Sequence, residues 1–244
     1  PYKSFLATLY CFTIFTIVFL IPLGQLLIWS YAENNFLSIE NIHLVFNSLA
    51  LGVIVSMITV FFGIALALAY RNDKKLRLII SVSTSGYAIP GSVISAGLLV
   101  SIGYFFGVSI TSFGIVGLVL CLSLRFMTPA YNYLSASLVN IKDSSEKALS
   151  TYSKDSMRAF KYFYLPHMKS ATYLGLMIVF IESVKEQPAT LLLRPVGFDT
   201  LSTKIYNFTS EGQWIMASNP SLMLVFLSLI FVYMINKNIN ENKS

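Results

Sequence analysis

Three ionisable side chains stand close together in an otherwise apolar run: Glu182, Lys185 and Glu186, within FIESVKEQPATLLLRP. Glu182 lies 13 residues beyond Lys169, and in a helix that is about 20 Å along the axis. If the run crosses a hydrocarbon core about 30 Å thick, a carboxylate there costs roughly 2.5–3.5 kcal/mol. The charge must then face water or a counter-ion, and Lys185, at i+3, is within reach. Two readings follow. Glu182 and Lys185 neutralise each other and only hold structure, or, together with Glu186, they border the outer end of a pathway and gate or guide a charged solute. A proton or cation relay through Glu182 would use the same chemistry. Two carboxylates beside a lysine are too few oxygen ligands for a hard cation, so no metal site is read here.

Other residues invite weaker readings. Pro90 and Gly91 free a backbone carbonyl inside an apolar stretch and are read as a tolerated bend, with a cavity lining as the alternative. Arg125, near the inner end of its segment, is read as an anchor whose head snorkels to the interface. Cys11 and Cys121 sit in apolar runs and act as small hydrophobes. His43 and His167 each stand alone, at a helix end or interface. Gly86 and Gly91 have phosphate-loop spacing, but Ser92 and Val93 follow where Lys and Ser or Thr are needed, so no ATP site is encoded.

The elements that carry these residues are set by composition. Of 244 residues, 55% are hydrophobic and 11% charged, against roughly a quarter charged in a soluble domain. Uncharged stretches at 4–32, 41–70 and 78–124 are each long enough to cross a bilayer once or twice. The expected class is all-α and polytopic, with six transmembrane helices at 6–29, 44–70, 78–103, 113–133, 171–187 and 220–235. The uncharged run at 78–124 must turn back once, at the small residues Gly103, Gly107, Ser109, Ser112 and Gly114. The net charge of +6 is not read as a nucleic-acid signal, because its basic residues cluster between spans: Arg71, Lys74, Lys75 and Arg77, then Arg125 and Lys142 to Lys169. The positive-inside rule places those clusters and both termini in the cytoplasm.

One segment breaks the apolar rhythm. From Asn140 to Lys169 the chain is polar and reads as two short cytoplasmic helices, Glu146 to Tyr152 capped by Ser145, and Lys154 to Tyr164 capped by Ser153 and stopped at Leu165 and Pro166. Met157, Phe160 and Tyr164 line one face, with Phe163 beside them, while Lys154, Arg158 and Lys161 point elsewhere. That apolar face needs a partner, either its own bundle, lipid headgroups or another protein.

SSEKALSTYSKDSMRAFKYFYLPHMKSA resembles the cytoplasmic loop of binding-protein-dependent (type I) ABC importer permeases, whose pattern runs Glu-Ala-Ala, a Gly four residues on, and Leu-Pro after a short helix. Glu146, Ala148, Leu165 and Pro166 match it. Lys147 replaces the second Ala and Tyr152 the Gly, which implies either a remodelled turn or coupling that differs in detail. In that family the loop is the coupling helix seated on the ATPase subunit. The resemblance therefore implies that Glu146, Ala148, Leu149, Tyr152, Met157 and Phe160 meet a nucleotide-binding partner. FIESVKEQPATLLLRPVGFDTLSTKIYNFTSEGQW and GYAIPGSVISAGLL look like iron(III)-type permeases, where two halves of this size are often fused, and this chain is similar to the second half or to a stand-alone equivalent of it.

The organisation this implies is a first helix and external loop at 1–43, a transmembrane domain at 44–236 with its coupling loop at about 140–169, and a cytoplasmic tail at 237–244. The expected protein is a bacterial inner-membrane transport subunit, not an enzyme, with no cofactor or metal of its own. ATP and Mg would sit on partner ATPase subunits. A second permease half and an extracytoplasmic solute-binding protein complete the expected partners, with no nucleic acid. The rivals are a permease for another small solute, an ion-gradient-driven carrier using Glu182, and a membrane scaffold.

Overall fold

The computed structural model describes residues 2–107, 114–139, 141–142, 144–145 and 156–241, and every regular element among them is helical. The chain opens with α1 (Tyr2–Phe15), a π-helical turn (Thr16–Leu20) and α2 (Ile21–Glu33). The long α3 (Ile39–Asn72) follows, then α4 (Arg77–Ser83), α5 (Gly91–Phe106), α6 (Ile115–Arg125) and α7 (Met127–Val139). Beyond them lie α8 (Ser156–Ala159), a second π-helical turn (Phe160–Tyr164) and α9 (Leu165–Lys185). The short α10 (Pro188–Leu193), α11 (Leu201–Ser210) and the long α12 (Trp214–Glu241) complete the order.

The middle of the bundle is α3 packed with α7 and α9. Its sequence explains the choice. Ser38 Oγ accepts the Asn41 N–H at 3.2 Å to start α3, Glu40 lies in the first turn and Arg71 in the last, all with the sign the helix dipole favours. Gly52 lets α9 approach so closely that an added Cβ would stand 2.8 Å from Val184 Cγ2 and 2.9 Å from the Phe180 ring. Gly63 does the same for Leu134 of α7, at 3.0 Å. Small residues at such crossings let membrane helices gain packing without a hydrophobic drive between them. Leu51, Val55, Leu134 and Val179 are fully buried there. The buried hydroxyls of Ser48, Thr59 and Ser183 donate to the carbonyl one turn back, at 2.8, 2.6 and 2.7 Å, and so cost little.

The outer faces are apolar and open: Phe61, Val100, Tyr104 and Phe105 are each more than two-thirds exposed. None of the most apolar window of Ser4–Glu33 is buried. Such a surface fits a lipid solvent. Among the described residues, Ser4–Glu33, Ile39–Asn72 and Trp214–Ile239 are long and apolar enough to span, and each of two bent pairs would add one more.

The structure departs from the six expected spans in three places. The stretch read as 78–103 is not a gently bent helix: it breaks by 114° around Pro90. The stretch read as 113–133 bends by 49° at Phe126. The stretch read as 171–187 falls in α9, which is not among the helices apolar enough by composition. α9 is enclosed by α3 and α7, so it needs no uniformly apolar surface. The expected turn before α6 is supported at both ends, since Gly107 and Gly114 have φ of 65° and 58°.

A further correction concerns Leu165 and Pro166, where the helix does not stop. The chain continues as helix from Ser156 to Lys185 through the π-helical turn. A proline clashes with the carbonyl four residues back, here Tyr162, and that is the centre of the widened turn. Pro22 repeats the device: its clashing carbonyl is Val18, the centre of Thr16–Leu20. Both helices absorb a proline by widening one turn.

Candidate functional site

α9 joins two groups of candidate residues. At its start lie the π-helical turn and α8. Met157 is exposed and Phe160 half-buried, whereas Phe163 and Tyr164 pack against the core. The Phe163 ring stands 5.2 Å from Tyr164 and 4.9 Å from His167, whose Nδ1 lies 2.7 Å from the Phe163 carbonyl. The apolar face expected as one docking stripe is therefore divided: Phe163 and Tyr164 turn to their own bundle, and Met157 turns out. Leu165 is part-exposed and Pro166 exposed at the head of α9. Glu146, Ala148, Leu149 and Tyr152 lie outside the described residues. On the approach to that segment, Arg71 of α3 donates through Nη1 to the Leu138 carbonyl and through Nη2 to the Ile141 carbonyl at 2.7 Å. The arginine thereby ties the end of α3 to the turn after α7, where the Leu138 carbonyl also accepts the Ile141 N–H at 3.1 Å.

At the far end of α9, Lys185 Nζ and Glu182 Oε1 are 3.0 Å apart, with both side chains substantially exposed. Glu182 has the i+3 partner that its position in the chain demanded. Glu186 is different. It is the C-terminal cap residue of α9, only 8% exposed, and its Oε2 lies 3.6 Å from Arg125 Nη2. Its Oε1 accepts the Ala189 N–H at 3.2 Å in the first turn of α10. Its main-chain carbonyl accepts the hydroxyls of Thr190 at 2.9 Å and Ser202 at 3.0 Å.

The Arg125 head does not snorkel. It turns inward against Gly91 and Glu186, with the side chain 18% exposed and, among the described residues, Nε and Nη1 out of solvent and without a hydrogen-bond acceptor. A methyl added to Gly91 would overlap both Arg125 Nη1 and Glu186 Oε1, and would stand 3.0 Å from Arg125 Cζ. Gly91 is thus the space the ion pair occupies, which sequence reasoning missed. A signal was present: Arg125 is the only Asp, Glu, Lys or Arg between Arg77 and Lys142. The argument that sought a partner for Glu182 applies to it equally. Three chain breaks meet at this pair: the 114° break before α5, the 49° bend after α6 and the end of α9.

The segment after α10 is tied down by polar caps. Asn47 donates to the Asp199 carbonyl at 2.9 Å, and Ser48 Oγ accepts the Leu201 N–H at 2.8 Å. Thr200 and Thr203 form a reciprocal cap at the start of α11. Arg194 pairs with Asp199, and burial lowers its pKa from the usual arginine value. Lys204 pairs with Glu40 at 2.5 Å and lies 4.8 Å over the Phe208 ring. Between α3, α5 and α6 runs an apolar cleft of about 560 Å³, lined by Ile58, Phe62, Leu98, Ile102 and Leu120. Among the described residues no three of His, Cys, Asp and Glu converge as a metal site would require.

The chain superposes on a chain of the bacterial alginate ABC transporter solved with an alginate pentasaccharide-bound periplasmic protein. The TM-score is 0.74, over 97% of this chain and 92% of that one, at 16% identity. This is the fold of an ABC importer permease. The MetNI methionine ABC transporter in inward-facing conformations gives a TM-score of 0.61 over 84% of this chain and 99% of that one, at 15% identity. In sequence, the chain is similar to the Fe(3+)-transport system permease protein FbpB 2 of Haemophilus influenzae, 31% identical over 152 residues, which are 62% of this chain and 29% of that protein. It also resembles the ferric transport system permease protein FbpB of Actinobacillus pleuropneumoniae, 26% identical over 213 residues, 78% of this chain and 30% of that protein. The chain thus spans under a third of the length of these two curated relatives. No family model matches it.

Proposed function

We propose that this chain is the transmembrane permease part of an ATP-driven importer for iron(III) in the bacterial inner membrane. It crosses six times with both termini in the cytoplasm, pairs with a second permease half and takes its solute from an extracytoplasmic binding protein. Hydrolysis occurs on separate ATPase subunits that carry ATP and Mg. They engage the segment from Glu146 through Phe160, including Ala148, Leu149, Tyr152 and Met157. Leu165 and Pro166 join that segment to α9. The chain supplies no covalent chemistry: it supplies a path and the lever that reshapes it.

The observation that carries this reading is the uninterrupted helical run from Ser156 to Lys185. A push on α8 reaches the far end of α9 without crossing a flexible joint, over about 30 Å for the 21 residues of α9. The ferric names of the curated relatives support iron(III) as the solute. We assign Glu182 and Lys185, which pair at 3.0 Å at the far end with part of each side chain open to solvent, to guiding the charged solute.

Radiolabelled iron(III) uptake by iron-starved cells lacking other iron(III) importers tests the proposal. Deletion of the chain should abolish uptake and re-expression restore it. Phe160→Asp and Glu146→Ala should insert normally and fail to transport. Undiminished uptake in the deletion strain refutes iron as cargo, and normal uptake by both variants refutes the coupling role.

A further inference from the structure

The Arg125–Glu186 pair has an asymmetry that an ordinary structural ion pair lacks. Arg125 presses its guanidinium on Gly91, the first residue of the 16-residue α5. A helix carries partial positive charge at its start, so a cation there is repelled and an anion attracted. Glu186 is the anion: its carboxylate lies against the same glycine and also accepts the Ala189 N–H at the start of α10. Among the described residues Arg125 is held in this unfavourable place by Glu186, across 3.6 Å, with Nε and Nη1 buried and without an acceptor. The Phe126 ring lies 5.8 Å from its Cζ, at the α6–α7 bend.

We propose that Arg125 is an electrostatic wedge and Glu186 its restraint: when α9 carries Glu186 away, the unopposed guanidinium drives the start of α5 off the α9–α10 junction. The two residues are positioning residues for translocation, and neither touches the solute. The device uses the chemistry already described, because Glu186 sits at one end of α9 and the coupling segment at the other. It rests on the permease reading for its purpose, though the movement of α5 can be tested without transport.

The chain carries its own reporter. Of the two cysteines, Cys121 is fully buried one turn before Arg125 on α6, and Cys11 is exposed. In a Cys11→Ser background, with the full protein in sealed native membranes, opening beside the wedge is read as the rate of Cys121 labelling by a bulky polar maleimide divided by its rate with N-ethylmaleimide, a ratio from which the direct effect of the Glu186 and Arg125 charges on the thiol cancels, and this ratio is the labelling rate that the variants change. Loss of an ordinary ion pair would loosen the site equally from either side. The wedge gives a different pattern. Glu186→Gln leaves the repelled cation and should raise the labelling rate about tenfold or more. Arg125→Gln leaves an anion at two helix starts and should stay within about twofold of the parent. The double variant removes the repulsion and should return to the parent rate, while Glu182→Gln should leave the Cys121 labelling rate at the parent value.

Equal increases in both single variants, or no increase in Glu186→Gln, overturn the proposal. Should Glu186→Gln fail to insert, the double variant decides: insertion with a protected Cys121 supports the wedge, and failure overturns it. The predicted labelling pattern together with normal iron uptake in cells lacking the chain would leave the wedge standing and discard the cargo.

Discussion

Adding one methyl group to α5 has sharply different consequences at two positions on the same helix. At Gly91 the methyl meets Arg125 Nη1 and Glu186 Oε1, and at Gly97 nothing stands within 4 Å. Overpacking a filled site costs about 1–3 kcal/mol. If the charges part from 3.6 Å to about 4.6 Å, an effective dielectric near 20 removes roughly 1 kcal/mol of attraction besides. Alanine returns up to about 1 kcal/mol through helix propensity in a helix interior and less at a first helical residue. Gly91→Ala should therefore lose about 1.5–4 kcal/mol, while Gly97→Ala should be neutral or gain up to about 1 kcal/mol. For a domain of this size that separates the two variants by roughly 5–15 °C in midpoint. The assay is the temperature at which detergent-solubilised protein loses its monodisperse size-exclusion peak. Equal midpoints, or a larger loss for Gly97→Ala, would show that Gly91 is not the space the ion pair fills.

Three further outcomes follow from the same packing. Gly52→Val should fail to insert or lose its folded peak near growth temperature, because even a Cβ there stands 2.8–2.9 Å from Val184 and Phe180; the measure is membrane yield and size-exclusion profile. Glu182→Gln should shift stability by less than about 1 kcal/mol, since its lysine partner is exposed; iron uptake by that variant reports its path role, and unchanged uptake would exclude one. Arg71→Ala should leave the Ile141 carbonyl without this donor and the Leu138 carbonyl with the Ile141 N–H alone, costing about 1–2 kcal/mol, and should lower the midpoint of the size-exclusion peak at constant membrane yield.

Much of the architecture was legible because lipid leaves a strong imprint on composition. The outer α1 with α2 and the central α3 appeared as uncharged stretches at 4–32 and 41–70. The turn at Gly107 and Gly114 was legible because only glycine takes those φ values cheaply. The fate of Pro90 and Pro166 was not. A proline disfavours a regular turn but does not say how the chain responds: α9 absorbs Pro166 by widening one turn, while the chain breaks outright at Pro90, where Gly91 admits two buried charged groups. That outcome depends on Arg125 and Glu186, which are 34 and 95 residues away in sequence from Gly91. The partner of Glu182 was legible since a helix fixes i+3 neighbours, and the partner of Arg125 was not since nothing local fixes it.

The meeting of chain breaks and charge at one place has a physical reason. A helix that ends inside an apolar bundle leaves backbone groups free, and each one left unpaired costs about 1–3 kcal/mol. A carboxylate is the most economical answer to helix starts, because one group can accept an N–H and oppose two helix dipoles. Glu186 does this for α10 by hydrogen bond and for α5 by contact at Gly91. The carboxylate in turn requires a cation, and Arg125 arrives from the bend at the end of α6. A straight α5 continuing from α4 would offer no free helix start to hold Glu186, and Arg125 would lose its counter-charge. The broken helix and the buried pair therefore stabilise each other, and moving either one must move both.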